Sequence, residues 1–414
     1  MIITIHRGSH EIGGTCVEIE GSTGTRILID IGQPILETGA GPFILPAHLD
    51  GVLISHAHQD HYGLLAKISP EVPVYISAPT MRLIEITAKF TGGDFAVRNP
   101  IVFKSHQPFT CGEFKIKPYL VDHSAFDAHG FLIEDEKNRI FYSGDFRGHG
   151  RKAALLDRFE QYPPSPVDAL LLEGTMLGQD TENIITEHEL EEAIVAKLKA
   201  TRSAAFVCVS GQNIDRLVTL FRACVKSGRR LVVDPYVGHV MSELNTFSPN
   251  IPFPSSDYAC SLGVYYPNRL CRRMRIHLKL GHVLDSFDAV RVQARDIIRK
   301  PEGYLVLVRD TMVEELTEKL SQSAENALFL YSLWRGYWDK ENMAVLKNWV
   351  TERHMDHVYA HTSGHAYPST LRRLAEALSP RQIIPIHTAC PENYGDYFTQ
   401  EIRIANDGEA IGIN

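Results

Sequence analysis

The chain of 414 residues has seven cysteines but no C-x-x-C pair among them. Odd in number and widely scattered (Cys16, Cys111, Cys208, Cys224, Cys260, Cys271, Cys390), they offer no disulfide framework and read as reduced thiols of a cytoplasmic protein. Long apolar runs are missing too. Ala169 to Leu172 and Ala204 to Val209 are strand-length, far short of the roughly 20 residues a membrane span needs, so no membrane partner is expected. Met1 leads straight into Ile2-Ile3-Thr4-Ile5 without a basic leader, so no secretory signal is expected. There is no Pro-, Ser- or Gly-rich tract and no repeat at a fixed period. With 44% hydrophobic and 22% charged residues the chain is globular, and its length calls for two domains or one domain with a large insertion. Positive charge is scarce. A formal net charge of −8 excludes holding nucleic acid through a global positive field, though not through a local one. Arg269, Arg272, Arg273, Arg275 and Lys279 form one basic stretch, and Arg222, Lys226, Arg229 and Arg230 another. Each alone reads first as a solvated helix face.

What the chain does have is regular punctuation. Short apolar runs at Met1 to His6, Thr15 to Glu20, Arg26 to Ile31 and Gly51 to Ser55, joined by Gly-rich turns, predict strands. Val74 to Ile76, Phe114 to Pro118, Gly130 to Glu134 and Arg139 to Tyr142 continue the pattern. From about Val167 the texture changes. Ala169 to Glu173 predicts a buried strand, Thr186 and Glu189 a capping box opening a helix to Ala200, and Ala204 to Ser210 another strand. Ile214 to Ser227 predicts a helix and Arg230 to Asp234 a strand. This β-α-β-α rhythm signals a parallel sheet with crossover helices, to which Tyr304 to Arg309 and Ala327 to Tyr331 also belong. After Val358 short strands return, with a helix over Ser369 to Leu378. The simplest organisation is a sheet-rich domain interrupted by an α/β insertion.

The strongest chemical signal is Ser55-His56-Ala57-His58-Gln59-Asp60-His61, directly behind the apolar Val52 to Ile54. Alternate residues His56 and His58 point the same way from an extended segment, while Asp60 and His61, on the turn beyond, face a second point. Imidazole nitrogen and carboxylate oxygen are ligands that zinc takes, and burying so many polar groups without a metal is costly.

From these motifs the chain resembles the metallo-β-lactamase superfamily, and others follow in the expected order. Arg26-Ile-Leu-Ile-Asp30-Ile-Gly32 is similar to the strand whose aspartate lies behind the ligands; Val121-Asp122-His123-Ser124 and Ser143-Gly144-Asp145 match the next two motifs. The resemblance implies that His56, His58 and His123 hold one zinc, that Asp60, His61 and His387 hold the other, and that Asp145 bridges them. Asp30 would orient a ligand rather than bind metal. Two metals about 3.5–4 Å apart can share a hydroxide and clamp the attacking and leaving oxygens of a phosphodiester. Asp60, beside that hydroxide, would also accept its proton, which makes it catalytic as well as a ligand.

The later motifs narrow the resemblance. Leu170-Leu-Leu-Glu173-Gly-Thr175, Thr362-Ser363-Gly364-His365-Ala366 and Ile384-Pro385-Ile386-His387-Thr388 resemble those of the β-CASP group of ribonuclease J-like and messenger-RNA 3′-end cleavage-factor-like nucleases. The fold implied is α/β, a metallo-β-lactamase αββα sandwich over 1–175 and 356–414 with an inserted α/β β-CASP domain over 176–355. The activity implied is metal-dependent hydrolysis of single-stranded RNA, exo- or endonucleolytic, with two zinc ions per chain and manganese as a substitute; a homodimer is one assembly open to it, and the sequence does not fix the oligomeric state. His365, held by Glu173, would donate a hydrogen bond to the scissile phosphate or a proton to the leaving oxygen. A departure is Ala389, where many relatives carry glutamate. Two other readings stay open: a nuclease for DNA or a small phosphodiester, and an inactive RNA-binding subunit.

Ser210-Gly211-Gln212-Asn213-Ile214-Asp215-Arg216, a strand end running into a helix, reads either as a phosphate cradle using Ser210, Gln212, Asn213 and Arg216, or as ordinary helix capping. Ser363 and Gly364 offer a similar backbone nest. The aromatics of Tyr331 to Tyr337 read as core packing rather than base stacking. His6 and His10 read as structural or exposed, and His129 as packed sooner than pocket-lining. His354, His357 and His361 are assigned no role.

Overall fold

The computed structural model describes residues 1–35, 45–46, 48–93, 95–179 and 184–413. Its contacts divide the chain into two compact units: Met1–Ala88, Asp94–Ile184 and Gly364–Asn414 form one, and Lys89–Gly93 with Ile185–Ser363 the other.

The first unit holds two seven-stranded sheets among the described residues. One runs in the order Ala410–Gly412, Ile2–Arg7, Cys16–Glu20, Arg26–Ile29, Gly51–Leu53, Val74–Ser77, Pro100–Phe103. The other runs Glu401–Ile402, Gln382–Ile386, Ala169–Glu173, Arg139–Tyr142, His129–Glu134, Phe114–Leu120, Phe109–Cys111. Alternate residues of each sheet meet in a shared core. Ile3, Ile5, Val17, Ile19, Ile27 and Ile29 come from one face and Phe114, Ile116, Phe131, Ile133, Ile140 and Leu171 from the other, all fully buried, as the two-residue period of a strand requires. On the outer face of the second sheet, Leu132, Phe141, Leu170 and Leu172 pack with Leu156 of helix Ala154–Gln161 and with Leu371, Leu374 and Leu378 of helix Pro368–Leu378. The mixed α/β architecture expected of the sandwich is therefore present.

The second unit is built on one seven-stranded sheet, parallel throughout, in the order Arg291–Val292, Leu262–Tyr265, Arg230–Val233, Tyr304–Leu307, Ala205–Cys208, Leu328–Tyr331, Asp356–Tyr359. Parallel neighbours need crossovers. Helix Ile214–Ser227 provides one, opened by Asn213, whose side chain accepts the Arg216 N–H, and closed by Gly228 in the left-handed region. The capping box at Thr186 and Glu189 opens helix Glu187–Ala200.

One boundary needs correction. The sequence places 356–363 in the returning segment, but Asp356–Tyr359 pairs in parallel with Leu328–Tyr331 and is the edge strand of the insertion's sheet. The segment is short and mostly exposed, so its hydrophobic pattern could not tell one sheet from the other.

Candidate metal centre

Three neighbouring parallel strands of the second sheet, Gln382–Ile386, Ala169–Glu173 and Arg139–Tyr142, end side by side. His387 follows the first, Glu173 closes the second and Asp145 lies on the turn after the third. Strand Phe114–Leu120 leads to His123. From the first sheet, the chain leaves Gly51–Leu53 extended through His56 and His58, and then turns into the short helix Gln59–Tyr62 that carries Asp60 and His61. That helix is stitched to the turn after Arg26–Ile29 by Ile31 N–H to His61 O and Gln33 N–H to Gln59 O, at 2.7 and 2.9 Å. Gly32 permits the approach, because a Cβ there would stand 1.7 Å from the Asp60 carbonyl oxygen.

The predicted ligands converge. His56, His58 and His123 bring one nitrogen each within 4.8 Å of one another, as do the donor atoms of Asp60, His61 and His387. Asp145 Oδ2 touches both groups, at 3.8 Å from His56 Nε2, 3.1 Å from His61 Nε2 and 3.7 Å from His387 Nε2. The groups behind these atoms fix which nitrogen faces inward. Asp30, fully buried, accepts from His61 Nδ1 at 2.8 Å, from Ser55 N and Oγ, and from Tyr142 OH. A carboxylate can only accept, so His61 carries a proton on Nδ1 and turns its Nε2 towards the cluster. The Gly364 carbonyl does the same for His123, accepting from Nδ1 at 2.6 Å. Thr175 Oγ1 lies 2.8 Å from His387 Nδ1, and the His387 N–H donates to Gly8 O.

Electrostatics match a cation site. Burial, then repulsion from His61, His58 and His123, holds His56 well below the usual imidazole range. Burial does the same to His123 and lowers His58. Burial alone would raise Asp145, but His387, His61 and His365 hold it well below the carboxylate range; His61 and His387 act likewise on Asp60. Burial disfavours a charged His61, yet Asp145, Asp30 and Asp60 push it well above its ordinary value. Neutral His56, His58 and His123 beside the ionised Asp145 and Asp60, with a buried His56 Nε2 that has no hydrogen-bond partner, are a donor set that metal ions would satisfy. The residues present fit divalent metal.

His365 stands at the edge of this cluster, 21% exposed, with Nδ1 3.3 Å from Glu173 Oε2 and 3.7 Å from Asp145 Oδ2. Burial opposes its protonation, but Glu173 and then Asp145 outweigh this and raise its pKa to about 9. Glu173 is fully buried and accepts the backbone N–H groups of Phe146, Thr175 and Ala366. Its side chain therefore has no rotational freedom to lose.

The insertion's expected phosphate ligands fare differently. Arg216 requires correction: it is fully buried, forks onto Glu187 at 2.9 and 3.2 Å, and donates to Ser332 Oγ and to the carbonyls of Ala360 and Thr362. It holds strand ends together and offers nothing to a ligand. Asn213 caps its helix, the bland alternative of the sequence reading. Ser210 is exposed, and Gln212 donates to Tyr236 OH. Gly364 acts on His123 through its carbonyl, a role not read from the sequence, and Ser363 is half-buried beside it. Sequence reasoning also missed Ser55, Tyr142 and Thr175, which carry no metal-ligand chemistry and whose only signal is adjacency to a motif. His129 is buried against Phe103, and His6 pairs with Glu18 at 2.7 Å. Arg222 and Lys226 pair with Glu191, whereas Arg229 and Arg230 donate to backbone carbonyls. Along helix Asn268–Ile276 only Arg275 has a carboxylate partner among the described residues. No helix there is long and apolar enough to cross a membrane, and the seven cysteines are unpaired.

Compared with known proteins, residues 25–209 match the family described as the Beta-lactamase superfamily domain. Ribonuclease J of Sinorhizobium meliloti is 24% identical over 193 residues, covering 45% of this chain and 34% of that protein. Ribonuclease J of Helicobacter pylori is 21% identical over 417 residues, covering 93% and 55%. For ribonuclease J of Mycobacterium tuberculosis the figures are 21% over 438 residues, 93% and 68%. The chain thus spans a third to about half of the length of the first two of these curated relatives. A crystal structure of a protein of unknown function from Enterococcus faecalis superposes with a TM-score of 0.80, covering 99% of both chains at 20% identity, a likeness of fold.

Proposed function

We propose that this chain, a metallo-β-lactamase-domain protein of the β-CASP group, hydrolyses phosphodiester bonds of single-stranded RNA at a two-zinc centre. The observation that carries the reading is the convergence of two ligand triads on the single oxygen Asp145 Oδ2. Zinc or manganese bound there would supply Lewis-acid neutralisation of the phosphate and an activated water. The chain's own groups do the rest. His56, His58 and His123 form one wall, Asp60, His61 and His387 the other, and Asp30 keeps His61 from turning. Asp60, on the open side of its triad, accepts the proton of the attacking water. His365, fixed by Glu173 at the rim, donates to the phosphate or to the leaving oxygen.

An RNA substrate draws on the relatives' names and on charge. Between Tyr258 and Lys300 the chain carries nine Arg and Lys against three Asp, within a protein of net charge −8, which is the local positive field that composition left open. The test is metal analysis paired with product mapping on end-labelled single-stranded RNA, single-stranded DNA and a dinucleotide. About two metal ions per chain and RNA cleaved far faster than DNA are expected. Equal rates on all three would reassign the chain to small phosphodiesters, and RNA binding with less than one metal ion per chain would make it a binding subunit.

A further inference from the structure

Exposed aromatic rings gather at one place in the second unit. Trp334, Tyr337 and Tyr359 are 52%, 36% and 40% exposed, although the sequence reading put the aromatics of Tyr331 to Tyr337 in the core. Tyr331 and Trp338 do pack there. Exposing three large rings together costs free energy that a chain does not spend without use. Each ring is also held in place. The Trp334 indole lies against the turn at Gly336, where a Cβ would fall 2.2 Å from it, and its edge meets Tyr337 at 5.3 Å. The Arg335 guanidinium stands 4.7 Å over the Tyr359 ring, and Lys340 Nζ 4.8 Å over Tyr337. Neither cation has a carboxylate partner among the described residues, and the nearby Asp339 is taken by Lys347.

The topology explains the location. Strands Ala205–Cys208 and Leu328–Tyr331 are parallel neighbours with Cys208 opposite Tyr331, and Tyr331 lies opposite Tyr359 on the edge strand. From Ala205–Cys208 the chain crosses towards Arg230–Val233 on one side; from Leu328–Tyr331 it crosses to Asp356–Tyr359 on the other. Connections departing in opposite directions make the carboxyl ends of these two strands a switch point of the sheet, the kind of place where parallel sheets bind ligands. The exposed Ser210 follows the first of these strands, Trp334 to Tyr337 follow the second, and Tyr359 closes the edge strand beside it. At these strand ends Arg216 ties Ser332 to the Ala360 carbonyl.

We propose that Trp334, Tyr337 and Tyr359 form a stacking platform for unpaired nucleobases, with Arg335 and Lys340 meeting the adjoining phosphates. This rests on the proposed function and sharpens it, because every base has a π-face but only a single strand can present one, so the surface selects unpaired over duplex RNA. Aromatic faces interleaved with unpaired cations complement a polyanion that carries flat apolar bases; an acidic peptide would not use the rings.

The chain has three tryptophans, of which Trp349 is buried, Trp338 is partly buried against the core and Trp334 is the most exposed, so Trp334 is the one a bound base quenches first. Metal-free protein is titrated with oligouridylate, an abasic oligomer of equal length and an RNA duplex, while hydrolysis of bis-p-nitrophenyl phosphate by the metal-loaded enzyme monitors the metal centre. Oligouridylate should quench, and the abasic oligomer should bind weakly without quenching. Trp334→Ala should bind oligouridylate roughly 5- to 100-fold more weakly, Trp334→Phe close to wild type, and both should keep the small-substrate rate. Wild-type affinity in Trp334→Ala, or abasic binding equal to oligouridylate, overturns the platform. Loss of a dimer in Trp334→Ala with RNA binding intact overturns it too, in favour of an interface between copies. A wild-type chain that hydrolyses the small diester but binds no oligomer refutes the RNA reading itself, and the platform with it.

Discussion

Replacing Arg216 by methionine removes a guanidinium that is fully buried while keeping a side chain of similar length. Left behind is the Glu187 carboxylate, 1% exposed, which loses both arms of its fork while the Thr219 hydroxyl at 2.8 Å stays. Ser332 Oγ and the carbonyls of Ala360 and Thr362 lose a donor as well. Taking one partner from a buried, hydrogen-bonded ion pair costs about 3–5 kcal/mol. For a unit of this size each kcal/mol moves Tm by about 2–4 °C, so the insertion should melt about 6–20 °C lower. Calorimetry of the wild type, Arg216→Met, Glu187→Gln and the double variant closes a double-mutant cycle, and the double variant should recover part of the loss because no charge is left unpaired. An Arg216→Met protein that melts with the wild type while its KM for RNA rises and its salt dependence flattens would place the guanidinium on a phosphate and refute the burial argument.

Three further outcomes follow from the metal centre. Asp145→Ala should lower metal content at both triads and His123→Ala at one, read by metal analysis after gel filtration; full metal in Asp145→Ala would dismiss the bridge. His387→Ala should lose metal, whereas His365→Ala keeps it and loses roughly 10²-fold in single-turnover rate, with Glu173→Gln milder; the reverse pattern exchanges the two roles. Asp30→Asn offers one accepting oxygen to four donors, so zinc affinity should fall roughly 10- to 100-fold in a competitor titration, and an unchanged affinity would show that His61 needs no support.

Much of this was legible because zinc-ligand chemistry uses few residue types and strands have a short period. His56, His58, Asp60 and His61 declare themselves within six residues, and Ala169–Glu173, Arg139–Tyr142 and helix Ile214–Ser227 have the predicted bounds. What failed depended on contacts distant in sequence. Arg216 reads as a ligand until Glu187 and Thr362 are seen to enclose it, and Asp356–Tyr359 cannot be assigned to a sheet without its neighbour. Tyr331 and Trp334 share one aromatic cluster in the sequence, yet one is buried and the other half-exposed, since the strand ends between them.

The oxygen of Asp60 that meets His387 belongs to a residue 327 positions earlier in the chain, with the whole insertion in between. Synthesis therefore assembles the centre in two instalments. His56, His58, His123 and Asp145 leave the ribosome early and can come together as soon as their sheets form. His387 follows Asp145 only after the insertion has been made, a delay of roughly 12–50 s at ordinary elongation rates of about 5–20 residues per second. Until then one triad lacks its third member. A nascent chain thus passes through a period in which His56, His58 and His123 exist without the Gly364 carbonyl that holds His123 and without His387, so both clusters are completed only once the insertion has been made.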